Sequence, residues 1–171
     1  MPTSASPLLS IITREVRRRM VEESIPRIIK CMASVSSEEL WHRPNEQTVS
    51  MGNLVLHLIG NVRQWLIAGM GTLPYQRNRD MEFTSTEAIS HMDLAIQLEA
   101  LGRDIEDTLN QLTEADLSRS YSVQGFEETG IAILMHVMEH FSYHTGQITY
   151  AVKSRKNLDM GYYAGQDLDQ G

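Results

Sequence analysis

Residues 128 to 154, EETGIAILMHVMEHFSYHTGQITYAVK, limit the possible folds more than any other part of the chain. Ile131, Ile133, Leu134, Val137, Met138, Ile148 and Val152 keep helical spacing and predict a long, mostly buried helix. His136, His140 and His144 stand four residues apart along it. At about 100° and 1.5 Å per residue, each lies one turn beyond the last and only about 40° further round the axis. Neighbours in such a row can bring ring nitrogens to a common point, as in the histidine pairs that metalloenzymes place at i and i+4. A buried row of imidazoles also needs partners for its nitrogens, and a divalent metal is one such partner.

The remaining pattern predicts more helices around this one. After a short lead-in over residues 1–7, Ser6 reads as an N-cap with Pro7 at the first helical position. Leu8, Leu9, Ile12, Val16, Met20, Ile25, Ile28, Ile29 and Met32 then carry one helical period to about residue 34, with a kink or interruption expected at Pro26. Ser36 and Glu39 fit a capping box on a short turn that ends at Pro44. Ser50 caps a second long helix carrying Leu54, Leu58, Val62, Trp65 and Leu66, closed by Gly69 and Gly71. Residues 70–85 read as a long loop, and a third helix is expected over about 87–112. Thr113 to Leu117 reads as another capped turn, and Ser120 to Phe126 as a short extended segment or hairpin. In the polar tail over 157–171, the Tyr162-Tyr163 pair is placed to fold back onto the helices. Four long amphipathic helices with no convincing sheet predict an all-α four-helix bundle, and 171 residues suit one domain with a single core.

Charge and cysteine content narrow the function. The net charge is −7, and the one basic run, Arg17-Arg18-Arg19, points in different directions on a helix, so nucleic acid is not an expected partner. The lone Cys31, inside Ile28-Ile29-Lys30-Cys31-Met32, excludes an internal disulfide and a multi-cysteine zinc site and reads as a small buried apolar residue. No segment has the length of a membrane span and no signal-peptide core is evident, so the expected location is the cytoplasm.

Of the other three histidines, His42 and His91 lie beside polar stretches and read as solvated, whereas His57 sits in the apolar run Leu54 to Ile59. Together with His140 and His144 it offers three imidazoles from two packed helices, a way to hold zinc, nickel, iron or manganese with open positions. The stretch Met138 to Ile148, with two histidines four apart before Gly146-Gln147-Ile148, resembles the last-helix motif of the DinB/YfiT-like superfamily. Ser50-Met51-Gly52-Asn53-Leu54-Val55-Leu56-His57-Leu58-Ile59-Gly60-Asn61, followed by Trp65, resembles that superfamily's second-helix motif, and Glu38 to Trp41 with Pro44 fits between. The resemblance runs from the first helix to Tyr163.

It implies a four-helix bundle of DinB/YfiT type, often a homodimer, with a divalent metal on His57, His140 and His144. His136 is extra to that set: it stands behind the ligands, lines the pocket or belongs to the core. Several relatives are thiol-dependent transferases or isomerases using bacillithiol or mycothiol. The resemblance therefore favours thiol S-transfer over hydrolysis, acting on a small-molecule substrate. The competing expectations are a helical protein that binds metal or a small molecule without catalysis, and a bundle whose histidines hydrogen-bond internally. Near His57 and His144, the residues Asn53, Asn61, Gln64 and Gln147 could orient ligands or meet substrate, or cap and pair across helices. Trp65 and Tyr143 read as packing residues, and Glu139 lies about 100° from His140, too far round to be its base.

Overall fold

The computed structural model describes residues 6–85 and 89–170. Two of the expectations above, most of the lead-in and the start of the third helix near residue 87, lie outside them. The chain opens with α1 (Pro7–Arg17), continues through a π-helical segment, Arg18–Ser24, and runs on as α2 (Ile25–Ala33). Ser6 and Pro7 start it as expected, although the Ser6 side chain makes no capping bond. Pro26 does not break the rod. Its ring crowds the carbonyl four residues back, and the wide π turn that ends at Ser24 absorbs the conflict before the α-helical register resumes.

The expected capping box closes, and the expected cap at Ser50 proves to be a second one. Ser36 accepts from the Glu39 N–H while the Glu39 carboxylate takes the Ser36 N–H at 2.8 Å, starting α3 (Ser37–Trp41). Ser50 starts α4 (Met51–Val62) with Asn53 as its partner, and a second π segment, Arg63–Ala68, carries this rod to Gly69. Segment 70–85 departs from the expected loop, because α5 (Arg79–Thr84) lies inside it. Six residues are too few to show an apolar period, but Asn78 caps the Met81 N–H, and Asp80 and Glu82 suit the positive end of the helix. Ser90 caps α6 (His91–Gln111), and Thr113 opens α7 (Glu114–Ser118) in a box with Asp116.

Residues 120–129 form the hairpin, β1 (Ser120–Val123) paired antiparallel with β2 (Phe126–Thr129). Gln124 and Gly125 both take positive φ, 53° and 81°, the requirement of a two-residue type I′ turn. The long histidine helix, α8 (Gly130–Lys156), therefore starts two residues into the expected stretch 128–154, capped by Thr129. It packs on α4 and on the α1–α2 rod, while α6 packs against those same elements. Val16, Ile28, Leu58, Leu101, Ile105, Ile133, Phe141 and Ile148 are fully buried among them. The class is all-α apart from the one hairpin. No helix among the described residues is long and apolar enough to cross a membrane.

The tail folds back as its tyrosines suggested. Met160 is buried, Lys30 donates to its carbonyl at 2.6 Å, and Arg27 stacks over the Tyr162 and Tyr163 rings. Tyr162 meets Thr149 Oγ1 at 2.9 Å and the fully buried Cys31 Sγ at 3.1 Å, so Cys31 is a core residue. Burial pushes the Tyr162 phenol up to about 12.

Two helical glycines should respond oppositely to alanine. A Cβ at Gly52 would lie 2.7 Å from the Trp41 ring, so Gly52→Ala should cost about 1–3 kcal/mol in urea denaturation. A Cβ at Gly146 meets nothing within 4 Å, so Gly146→Ala should gain about 0.5–1 kcal/mol through helix propensity.

Candidate metal centre

The seam between α4 and α8 brings together the three histidines singled out by sequence. Ring centroids are 4.9 Å apart for His57 and His140, 5.1 Å for His57 and His144, and 4.5 Å for His140 and His144. One nitrogen from each ring lies within 4.8 Å of the other two. His57 and His144 are buried and His140 is half-buried. The pitch of α8 puts His140 and His144 on adjacent turns, and His57 faces them from the apolar side of α4.

Each outer nitrogen that is tied down sets which inner nitrogen is left free. Glu82 Oε2 lies 2.9 Å from His57 Nδ1. Arg77 Nη2 also approaches Nδ1, at 3.1 Å, but one ring nitrogen cannot donate to a carboxylate and accept from a guanidinium at once. The Glu82 contact is shorter, and Nη2 already donates to Oε2 at 2.7 Å, so we assign the proton to Nδ1. His57 Nε2 then faces His140 Nε2 at 2.9 Å as the acceptor. In the same way His144 Nδ1 donates to Gln147 Oε1 at 2.6 Å, which leaves its Nε2 with a free lone pair.

Glu82 reaches His57 because α5 is tied to α4. Asn53 Nδ2 donates to the Glu82 carbonyl at 3.0 Å and to the Ser85 carbonyl at 2.9 Å. Gly60 clears the space, since a Cβ there would overlap the Glu82 carboxylate. Arg77 donates Nε to Glu82 Oε1 at 2.6 Å and Nη1 to Gln64 at 3.0 Å. Burial alone would raise the Glu82 carboxyl, but the hydrogen bonds from His57 and Arg77 outweigh it and hold the group below the usual carboxylate range.

Two of the three imidazoles, His140 and His144, are held neutral. Burial, then the neighbouring charges of His144, His57, His136 and Arg77, push His140 down to about 3. Burial also depresses His144, against the bond from Gln147. Neutral imidazole is the form that ligates, and three imidazole donors suit a borderline divalent ion. Beside them, Asn61 Oδ1 is a buried polar atom without a partner among the described residues, as expected next to a site that holds another polar group. The chemistry of these residues fits a metal.

Residues 12–162 match the model of a family described as a protein of unknown function (DUF1572). The chain belongs to this DinB-like family. The match covers all three histidines of the cluster together with Arg77 and Glu82. No curated protein matches the chain in sequence. Two similar solved structures are crystal structures of DinB-like proteins. One, from Bacillus subtilis, is 21% identical with a TM-score of 0.63, covering 85% of this chain and 94% of its own. The other, from Bacillus cereus, is 16% identical with a TM-score of 0.63, covering 81% and 89%. At these identities the likeness is one of fold.

Within this DinB-like chain the other singled-out residues fall into place individually. His136 lies between Trp65, centroids 4.2 Å apart, and His140, 5.5 Å, and its Nε2 is 3.4 Å from Asn61 Nδ2. It lines the cluster from behind. Trp65 is buried and donates to Gln124 at 2.9 Å, a packing role, while Tyr143 is exposed and accepts from Gln147 Nε2 at 3.2 Å. Glu139 points to solvent. His42 is exposed as expected, but His91 is not simply solvated: its Nε2 donates to the Val35 carbonyl at 3.1 Å, because the first turn of α6 abuts the end of α2. Sequence reasoning missed Arg77 and Glu82. The only signal was the acidic first turn after Asn78, which marks a helix start and not an inward-facing carboxylate.

Two predictions follow from the electrostatics. Arg77 and Glu82 side chains are only 4% and 7% exposed, so Glu82→Ala strands a buried guanidinium and should cost about 3–5 kcal/mol. The Arg77→Ala/Glu82→Ala pair should cost less than Glu82→Ala alone, and a double-mutant cycle in urea measures the difference. The metal-free protein should also weaken in mild acid. His140 titrates near 3 when folded and near 6.5 when unfolded, so the unfolded chain binds the extra proton between these values. This contribution is complete above pH 6.5 and is lost as pH falls towards 3. Urea midpoints between pH 7 and 4.5 should fall more steeply for the wild type than for His140→Gln.

Proposed function

We propose that the chain is a metal-dependent DinB-like protein whose helices form one four-helix bundle of DinB/YfiT type and whose metal ligands are His57, His140 and His144. One observation carries this reading: three imidazoles converge from two helices, and the outer nitrogens of two of them are already committed to Glu82 and Gln147. Zinc or nickel is the leading ion, with iron and manganese as alternatives suited to the same donors. When bound, such an ion supplies Lewis-acid chemistry, which favours the deprotonated form of a thiol or water. The reaction we assign is transfer to a small-molecule electrophile from a low-molecular-weight thiol of the bacillithiol or mycothiol type, with hydrolysis as the alternative outcome. Cys31 takes no part, because it is buried against Tyr162 and the sulfur would come with the cosubstrate.

The chain's own residues have definite tasks here. Glu82 keeps the His57 proton on Nδ1, and Arg77 keeps Glu82 ionised and in place. Gln147 does for His144 what Glu82 does for His57. Half-buried His140 is the most accessible of the three rings. A homodimer belongs to the same proposal through the family resemblance, with the cytoplasm as its proposed location.

Elemental analysis of untagged protein tests the metal. Near-stoichiometric metal is expected in the wild type, and none in His57→Ala, His140→Ala or His144→Ala. Glu82→Gln should bind about 10- to 100-fold more weakly, as usual for the residue behind a metal-bound histidine. Added ion at about 100 times its Kd should stabilise the wild type by about 2.7 kcal/mol and a chelator should remove the gain. Wild-type protein that takes up no ion under any loading would leave the His57–His140 bond as a purely internal contact.

A further inference from the structure

A groove of about 610 Å³ opens between the start of α4 and the end of α8. Val49, Met51, Leu54 and Ala151 form its walls, and the ring of Tyr150, 74% exposed, stands at its edge. This volume lies in the range that holds small-molecule ligands, and its lining is mostly apolar, as such sites require. The inner end is Gln147, whose Oε1 holds His144 Nδ1 at 2.6 Å. Leu54 stands three residues before His57, on the same face of α4. Two residues of the groove are therefore one turn from the histidine cluster, one on each helix. At the outer end are Ser154 and Arg155, and Arg155 spends one guanidinium nitrogen on the Glu39 carbonyl at 2.9 Å.

We propose that this groove binds the apolar arm of a substrate whose polar head meets the three histidines. The proposal rests on the metal reading above and names the class of molecule served: a small amphiphile with an alkyl or aryl arm. From Gln147 to Ser154 the floor spans seven residues of α8, about 10 Å, and this sets the length of arm it takes. Arg155 at the far end favours an arm that stops there or ends in a hydrogen-bond acceptor. Gln147 links the two parts, with its amide oxygen on His144 and its side chain forming the groove wall.

Alkyl hydroxamates test this, because the head group grips a metal and the chain length can be varied. Zinc-loaded wild type is titrated calorimetrically with a series from acetohydroxamate to dodecanohydroxamate. Affinity should rise about threefold to fourfold per methylene until the groove is full. Ser154→Trp, at an exposed position, should leave acetohydroxamate unchanged and weaken dodecanohydroxamate about tenfold or more, the worth of two methylenes. Ala151→Trp should flatten the series at shorter chains, and if that variant fails to fold, Ser154→Trp decides alone. Equal affinity along the series in the wild type, with acetohydroxamate bound, would overturn the groove and leave the metal site standing. If zinc does not load, amide shift changes at Val49, Leu54 and Ala151 on adding octanohydroxamate would support the groove without the metal, and no change there would overturn it.

Discussion

An apolar seam that contains imidazoles must find partners for the ring nitrogens it buries, and the architecture around α4 and α8 supplies them at the outer nitrogens of His57 and His144. An unpaired buried polar group costs on the order of 1–3 kcal/mol, a large share of a domain's net stability. His57 is satisfied by Glu82, His144 by Gln147, and the nitrogens of His57 and His140 that face each other share a proton. Fixing the outer nitrogen also fixes the tautomer, so the bonds that make burial tolerable leave lone pairs aimed inward. Stability and the capacity to ligate thus come from the same hydrogen bonds.

The cost moves outward to Glu82, whose carboxylate is itself buried. It stays ionised because Arg77 and His57 both donate to it, and it stays in position because Asn53 ties α5 to the first turn of α4. Asn53 also closes the capping box with Ser50. One side chain therefore starts the helix that bears His57 and anchors the short helix that orients it. The absence of a side chain at Gly60 lets the carboxylate approach. The motif around His57, from Ser50 to Asn61, is in this sense a set of parts for placing one imidazole.

Much of this was legible in the sequence. Apolar spacing located the long helices, one capping box and the Ser50 cap located helix starts within a residue or so, and the i, i+4 row with the family resemblance identified His140 and His144. The histidine of α4 was separable from His42 and His91 by the hydrophobicity of its neighbours. Misreadings arose where local pattern and tertiary context disagree. Pro26 predicts a kink or interruption in its helix; a π turn just before it interrupts the α-helical register, yet the rod continues. Segment 70–85 carries too few apolar residues to announce α5, because that helix is held by polar bonds to α4 and not by a buried stripe.

Sequence alone determined the class of the protein, the long helices and, with the family resemblance, the identity of the three candidate ligands. Those features follow from periodicity and from the chemistry of histidine, which act over a few residues. Tertiary structure decided that a carboxylate 25 residues beyond His57 holds its Nδ1, that Arg77 neutralises that carboxylate, and that His136 stands behind the cluster. It also decided that an apolar groove runs up to Gln147. Such pairings join elements distant in the chain, and their geometry is set by how the helices pack, which no local spacing records.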